Sequence, residues 1–423
     1  MPVSPPFSAP PASSDLTRRV VAVSALGYFV DILDLFLFSV LRVPSLGSVG
    51  VPAEQLLPAG ATLLNWQMGG LLIGSLFWGI LGDRYGRLRA LYGSILLYSL
   101  ATLANATVTT LPAYVVCRFF AGLGLGGELG AAVTLVSESL PTARRGLGTM
   151  VVAGFGLCGG IAAAAMAELL PWRTCYVVGG VIGFVLLGLR IRLMESPLFV
   201  SASARNESGG SIQRGNLRLL FRNPRRLELY LRLVLIGVPI WFVAGILMVF
   251  SPEFGRALDI PGVTAPRAVL SSYLGVAIGD FLSGLLSQRL RSRKRAISLF
   301  LLLSVASIGA FLAAAHVPIR TFYAICFVVG LGTGYWAVLI TTAAEHFGTN
   351  LRATVTTTIP NLVRAAVIPL TTAFQLLGRL WKDSGGLVAA AATLGGLCIV
   401  LAFWALRGID ETYSRELDFD EMG

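Results

Sequence analysis

The sequence predicts an all-α polytopic membrane protein with twelve transmembrane helices in two six-helix halves. Three observations predict it. The 423 residues are 55% hydrophobic and 13% charged, with a mean hydropathy of +0.76; a soluble domain averages about 25% charged residues. Apolar runs of the roughly 20 residues that a bilayer crossing needs recur along the whole chain. The chain also repeats itself: GILGDRYGRLRAL (Gly79–Leu91) is echoed by GLLSQRLRSRKRAI from Gly284 to Ile297. That echo lies 205 positions on; Glu138 and Arg145 return as Glu345 and Arg352, 207 positions on.

The elements follow in order. Residues 1–16, rich in Pro, Ser and Ala, are expected to be a disordered tail and not a cleaved leader. The first half, 17–194, holds spans over 20–41, 59–81, 88–108, 112–136, 146–168 and 172–193. Span 1 contains GYFVDILDLFLFS, and span 2 runs into the charged turn GDRYGR. Span 3 is bounded by Arg89 and Pro112, and span 4 carries RFFAGLGLGGELGAA. Span 5 is rich in glycine and alanine, and span 6 follows PWR. Residues 195–228 are polar and arginine-rich and form the linker. The second half, 229–406, holds spans over 229–251, 265–288, 295–315, 320–344, 353–378 and 385–406, and residues 407–423 form a tail. Two copied halves suit a transporter that rocks around a central site.

The net charge of +11 does not indicate nucleic acid, because the basic residues fall at the ends of apolar runs. The loops after even-numbered spans hold most of them, including Arg84, Arg87, Arg89, Arg144 and Arg145; the opposite loops, where Arg42 and Arg173 are placed, are poorer. That asymmetry puts both termini in the cytoplasm of a plasma (inner) membrane protein. The five cysteines lie in or beside apolar runs without metal-site spacing, and no phosphate-binding loop is present. No cofactor, metal or enzymatic nucleophile–base pair is expected. The partners expected are a small-molecule substrate and the bilayer, and the chain is expected to act as a monomer.

These motifs carry a resemblance. GDRYGR resembles the loop signature between spans 2 and 3 of the major facilitator superfamily, and RFFAGLGLGGELGAA resembles its span-4 signature. ESPLF (Glu195–Phe199) and ETYSRELD (Glu411–Asp418) resemble motifs of its sugar-porter and metabolite:proton symporter branches. Gly126, Gly127 and Glu128 lean towards the latter. The resemblance implies alternating access, with proton-coupled uptake of a small organic anion or zwitterion. A proton-driven exporter and a metabolite-binding sensor are the alternatives.

The charged turn reads as a conformational latch of Gly82, Asp83, Arg84, Gly86, Arg87 and Arg352. Gly82 and Gly86 would permit a tight reversal. Asp83 would face the positive end of span 11, where the family places it, beside Arg352. The second copy has Gln288 near the place of the acid, so the latch is expected to be asymmetric.

Ionisable groups inside a membrane are expensive and form the functional shortlist. Asp31 and Asp34 lie i, i+3 on span 1, and Arg118 and Glu128 lie on span 4. Asp34 and Arg118 match in depth. The resemblance implies that such an acid and arginine couple transport to protons; a permanent structural ion pair is the other reading. Asp31, Asp34, Arg118 and Glu128 are the proton-coupling candidates. Gln67, Trp241, Tyr335, Trp336, Asn361 and Arg364 are the substrate-binding candidates. Arg364 suits a carboxylate or phosphate, or else pairs with Asp280 or Glu128.

Overall fold

The computed structural model describes residues 14–85, 87–128, 142–190, 223–381 and 385–413. Those residues are helical without a strand. Span 1 is Ser14–Ser48, span 2 Leu56–Tyr85, span 3 Arg87–Asn105, span 4 Leu111–Leu125, span 5 Thr142–Leu169 and span 6 Trp172–Arg190. Span 7 is Pro224–Phe242, continued by a π turn over Val243–Met248. Span 8 is Ala265–Leu290 and span 9 is Arg293–Leu312. Span 10 is Ile319–Thr333 followed by Trp336–His346, span 11 is Thr349–Ala365 followed by Val367–Leu380, and span 12 is Gly386–Arg407. Twelve transmembrane helices in two halves result, and large apolar side chains such as Ile80, Phe281, Leu380 and Val400 face outward.

Several edges differ from the expectation for physical reasons. Span 1 runs seven residues past its expected end, through Arg42 and Pro44. Arg42 is therefore a buried helical residue and not a loop charge, because acceptors are waiting for it. Span 7 starts at Pro224, inside the expected linker, where the Asn223 side chain accepts from the Arg225 N–H at 3.0 Å. Span 10 breaks at Gly334–Tyr335. Span 11 passes through Pro360 and breaks only at Ala366. Helix continues through Gly82 to Tyr85, so Gly82 makes no reversal. Gly86 and the side chains of Asp83, Arg84, Arg87 and Arg352 lie outside the described residues, as do 191–222, which contain ESPLF.

The repeat is visible as a packing seam. A Cβ added at Gly70 or Gly74 of span 2 would lie 2.2 Å from the Phe119 carbonyl oxygen or 2.1 Å from that of Leu123 on span 4. At Gly275 and Gly279 of span 8 it would lie 2.0 Å and 2.4 Å from the carbonyls of Phe327 and Leu331 on span 10. Both glycines recur 205 positions on, as Gly79 does in Gly284. Glycine alone lets the two backbones come this close. Across the halves, span 1 packs on span 8 and touches span 7 through Phe36 and Trp241, span 2 meets span 11, and span 5 meets span 8.

The bundle has two ends: a terminal end, where span 1 begins and span 12 finishes, and an Arg42 end. At the Arg42 end the halves are tied. Arg42 donates to Glu253 at 2.5 Å, to the Val249 carbonyl at 3.2 Å and to the Leu56 carbonyl at 3.0 Å, with its guanidinium 4.8 Å from the Phe250 ring centre. Thr371 donates to the Asn65 side-chain oxygen at 2.5 Å, and Arg267 reaches Glu168 at 3.1 Å.

At the terminal end, the second copy of the charged turn uses Arg291 in a left-handed conformation (φ 47°) and Ser292 as the cap of span 9. The acid missing from that copy comes from the tail. Glu411 accepts from the Ser292 hydroxyl, from the Arg293 N–H at 2.8 Å and from the Lys294 N–H at 3.2 Å. Partial burial works to raise the Glu411 carboxyl, but the bonds from Ser292 and from the Arg293, Tyr413 and Lys294 amides outweigh it. They hold the carboxyl below the ordinary range. Beside it, Glu345 accepts from Arg293 at 2.9 Å and from Thr412 at 2.7 Å.

Candidate functional site

The shortlisted charges separate into three groups. In the first, span 1 and span 11 bring Asp31 and Arg364 together across the two halves. Arg364 Nη2 donates to Asp31 Oδ2 at 3.1 Å, and both side chains are buried. Arg364 Nε and Nη1 and Asp31 Oδ1 have no hydrogen-bond partner among the described residues. The guanidinium is 5.8 Å from the Trp241 ring centre. It borders a cavity of about 40 Å³ whose walls include Tyr28, Trp241, Tyr273 and Trp336. Phe36 backs this wall, 6.1 Å from Trp241 and 4.4 Å from Tyr273 between ring centres. A guanidinium with unused donors beside aromatic rings can receive a flat acid. The cavity holds no more than a little water in this closed arrangement.

The second group is Asp34 and Arg118. Asp34 Oδ1 accepts from the Thr102 hydroxyl at 2.6 Å. Arg118 Nε donates to the Asn105 side-chain oxygen at 3.1 Å, and its guanidinium is 5.0 Å from the Tyr176 ring centre. No hydrogen bond or ion pair joins Asp34 to Arg118. Asp34 Oδ2 and both terminal nitrogens of Arg118 are buried and unpartnered. The i, i+3 spacing gave Asp31 and Asp34 a common face; instead they diverge, one to the opposite half and one to spans 3 and 4.

The third group is Glu128 with Arg190. Arg190 Nη1 donates to Glu128 Oε2 at 2.9 Å, and Nη2 donates to the other carboxylate oxygen. Room for the pair comes from Gly27, where a Cβ would lie 1.8 Å from Arg190 Nη2. Arg364 therefore pairs with neither Glu128 nor Asp280. Asp280 accepts from the Ala337 N–H at 2.8 Å and caps the second segment of span 10.

Of the substrate-binding candidates, Trp241, Trp336 and Arg364 line the cavity. Tyr335 does not: it is buried, with its hydroxyl donating to the Ile236 carbonyl at 2.8 Å. Gln67 and Asn361 lie off the cavity wall, buried with neither amide atom bonded. Arg190, Arg42, Glu253, Tyr28 and Tyr273 were missed. Arg42 reads as one of the arginines that fix topology, Arg190 lies near the end of its span, and nothing local in the sequence marks Glu253 as the partner of Arg42.

The comparisons agree with this architecture. A sequence profile of the Major Facilitator Superfamily matches residues 24–372. The 3-(3-hydroxy-phenyl)propionate transporter of Escherichia coli (strain K12) is 29% identical over 80% of this chain and 84% of its own length. The gentisate transporter of Corynebacterium glutamicum is 25% identical over 94% and 89%. The 4-hydroxybenzoate transporter PcaK of Pseudomonas putida is 34% identical over 43% and 41%. A crystal structure of the D-xylose-proton symporter superposes with a TM-score of 0.72 at 16% identity, covering 93% of this chain and 98% of that one, a likeness of fold. The sequence matches cover most of the chain, and the two-halved helical fold is shared with a solved transporter. The chain belongs to the major facilitator superfamily and is a secondary transporter, not an enzyme.

Proposed function

We propose that the chain imports a small aromatic carboxylate together with protons across the plasma (inner) membrane, as a monomer with both termini in the cytoplasm. The observation that carries this reading is Arg364, with two unpartnered donor nitrogens, Nε and Nη1, at an aromatic-walled cavity. The substrate carboxylate takes those donors and competes with Asp31 for the guanidinium, while the ring stacks among Tyr28, Trp241, Tyr273 and Trp336. Asp34, buried next to Arg118, carries the coupling proton. The proton is the only accessory species the reading requires. The names of the relatives support the substrate class: hydroxybenzoate, gentisate and hydroxyphenylpropionate are all aromatic carboxylates.

The Arg42 end is the outer face in this reading, so the ties at Arg42, Asn65 and Glu168 close the outward path. The substrate ring exceeds the cavity, and opening at one end must precede loading. The test is uptake of 4-hydroxybenzoate into proteoliposomes under an inward-directed proton gradient. Wild type accumulates the acid and Arg364→Ala does not. Wild-type affinity in Arg364→Ala would refute the anion role. Accumulation that ignores the gradient would refute the coupling.

A further inference from the structure

We propose that Ser45, Tyr114 and Tyr176 form a hydroxyl path that carries the coupling proton between the Arg42 end and Asp34, apart from the substrate cavity. The inference rests on the reading of Asp34 as the coupling carboxylate. Asp34 is buried and absent from the cavity wall. A proton reaching it therefore needs a route of its own through the first half.

One polar thread leads there. The Ser45 hydroxyl donates to the Arg42 carbonyl at 3.2 Å, and the Tyr114 hydroxyl donates to Ser45 Oγ at 3.0 Å. The Tyr114 and Tyr176 hydroxyls are 2.6 Å apart, and either can donate. The Tyr176 ring covers the Arg118 guanidinium. Ser45, Tyr114 and Tyr176 are all buried, whereas Ser48, one turn beyond Ser45, is exposed. At the inner end, Asp34 Oδ2 and the two terminal nitrogens of Arg118 are unpartnered. Buried polar atoms of this kind recruit water, and the path requires one there to join Tyr176 to Asp34.

The transfer balances. The Ser45 and Tyr114 hydroxyls, which donate towards the Arg42 end, first turn to donate inwards. Each oxygen then accepts a proton from the outer side as it releases its own to the next, Tyr176 passes one to the water, and the water passes one to Asp34 Oδ2. The charged and titratable groups around the thread are Asp34 and Arg42 on span 1, with Glu253 on Arg42 from the opposite half, Tyr98 on span 3, Cys117 and Arg118 on span 4, and Arg173 behind Trp172 on span 6. Ser45 is close to the Arg42–Glu253 tie, so parting that tie wets the mouth of the path. Proton entry and outward opening then occur together.

The experiment compares Tyr114→Phe, Tyr176→Phe and Ser45→Ala with Asp34→Asn in proteoliposomes, using 4-hydroxybenzoate. Each variant removes a hydroxyl and keeps the ring or backbone. Gradient-driven uptake is expected to fall about tenfold or more, since a positioned proton-transfer group contributes about a hundredfold where transfer limits the rate. Counterflow exchange at equal pH is expected to be unchanged. Normal gradient-driven uptake in all three, with Asp34→Asn inactive, overturns the path and leaves Asp34 as the coupling acid. Gradient-driven uptake surviving in Asp34→Asn overturns both. Loss of exchange along with uptake assigns the hydroxyls a structural role and overturns the path. A second reading needs no substrate: the protonated-carboxyl infrared band, assigned by its absence in Asp34→Asn, is followed after a rapid pH drop. Its rise must be slower in Tyr114→Phe; an unchanged rise overturns the path.

Discussion

Removing the charge of Glu253 should release the closed end of the transporter. Arg42 and Glu253 are buried at 0% and 4% side-chain exposure and join span 1 to the short helix Ser251–Ala257 that follows span 7. Breaking a buried pair by removing one partner costs about 3–5 kcal/mol, because the other charge stays desolvated. In Glu253→Gln the Leu56 and Val249 carbonyls still accept from Arg42, which favours the low end, about 3 kcal/mol. The open state exposes Arg42 to water and bears little of this cost. The ratio of closed to open molecules should therefore fall about a hundredfold, at 1.4 kcal/mol per decade. The assay is labelling by a membrane-impermeant thiol reagent at Ser272→Cys, on the cavity wall, with the five native cysteines replaced. Labelling from outside should accelerate by about that factor, because the reagent captures the open fraction. Arg256→Gln is the control: Arg256 lies 3.7 Å from Glu253 but is 62% exposed, and exposed pairs contribute about 0–1 kcal/mol. Equal labelling rates in Glu253→Gln and its parent would refute the tie as a barrier to opening.

Other outcomes follow from the same geometry. Gly27→Ala and Glu128→Gln should both lower the melting temperature in detergent, the first by driving a methyl into the ion pair and the second by stranding Arg190; the pair is worth about 3–5 kcal/mol when one partner goes. Gly279→Leu should destabilise the second half by parting spans 8 and 10, whereas Gly284→Leu, with open space at its Cβ, should be tolerated in the same thermal assay. Glu411 has a folded pKa below its ordinary 4.5, so its contribution is full above that value and is lost as pH falls through the lower folded value. Exchange of the Arg293 and Lys294 amides, corrected for intrinsic rate, should thus be slow at neutral pH and faster in strong acid. Glu411→Gln should be fast at both.

The fold was legible because a bilayer leaves few options. Span count, the repeat and the arginine bias are all one-dimensional signals, and each survives as a pattern in the chain. The shortlist of buried charges was legible for the same reason: Asp31, Asp34, Arg118, Glu128 and Arg364 stand out against apolar neighbours. Their partners were not legible. Asp31 finds Arg364 333 positions away, and Glu128 finds Arg190 across two spans. Such pairings depend on helix rotation, which a spacing of three residues constrains only to about 60° between neighbours on the face. Arg42 shows the other limit. A charge near the end of an apolar run reads as a loop until a carboxylate from the opposite half is known to reach it.

The glycine seams fix where the molecule can yield. Spans 2 and 4, and likewise 8 and 10, touch backbone to backbone, so sliding one past the other would drive Cα atoms into carbonyls. Gly160 of span 5 faces the opposite half and meets the ring of Tyr273, with a Cβ position 2.6 Å from Cδ1. A ring can swing where a carbonyl cannot. Stiffness is therefore concentrated inside each half and compliance at the line between them, so a single rotation there changes access without disturbing a helix pair. In a chain built this way, variation at the seam glycines acts on whether the halves exist at all, and variation at Tyr273 acts on how easily they turn.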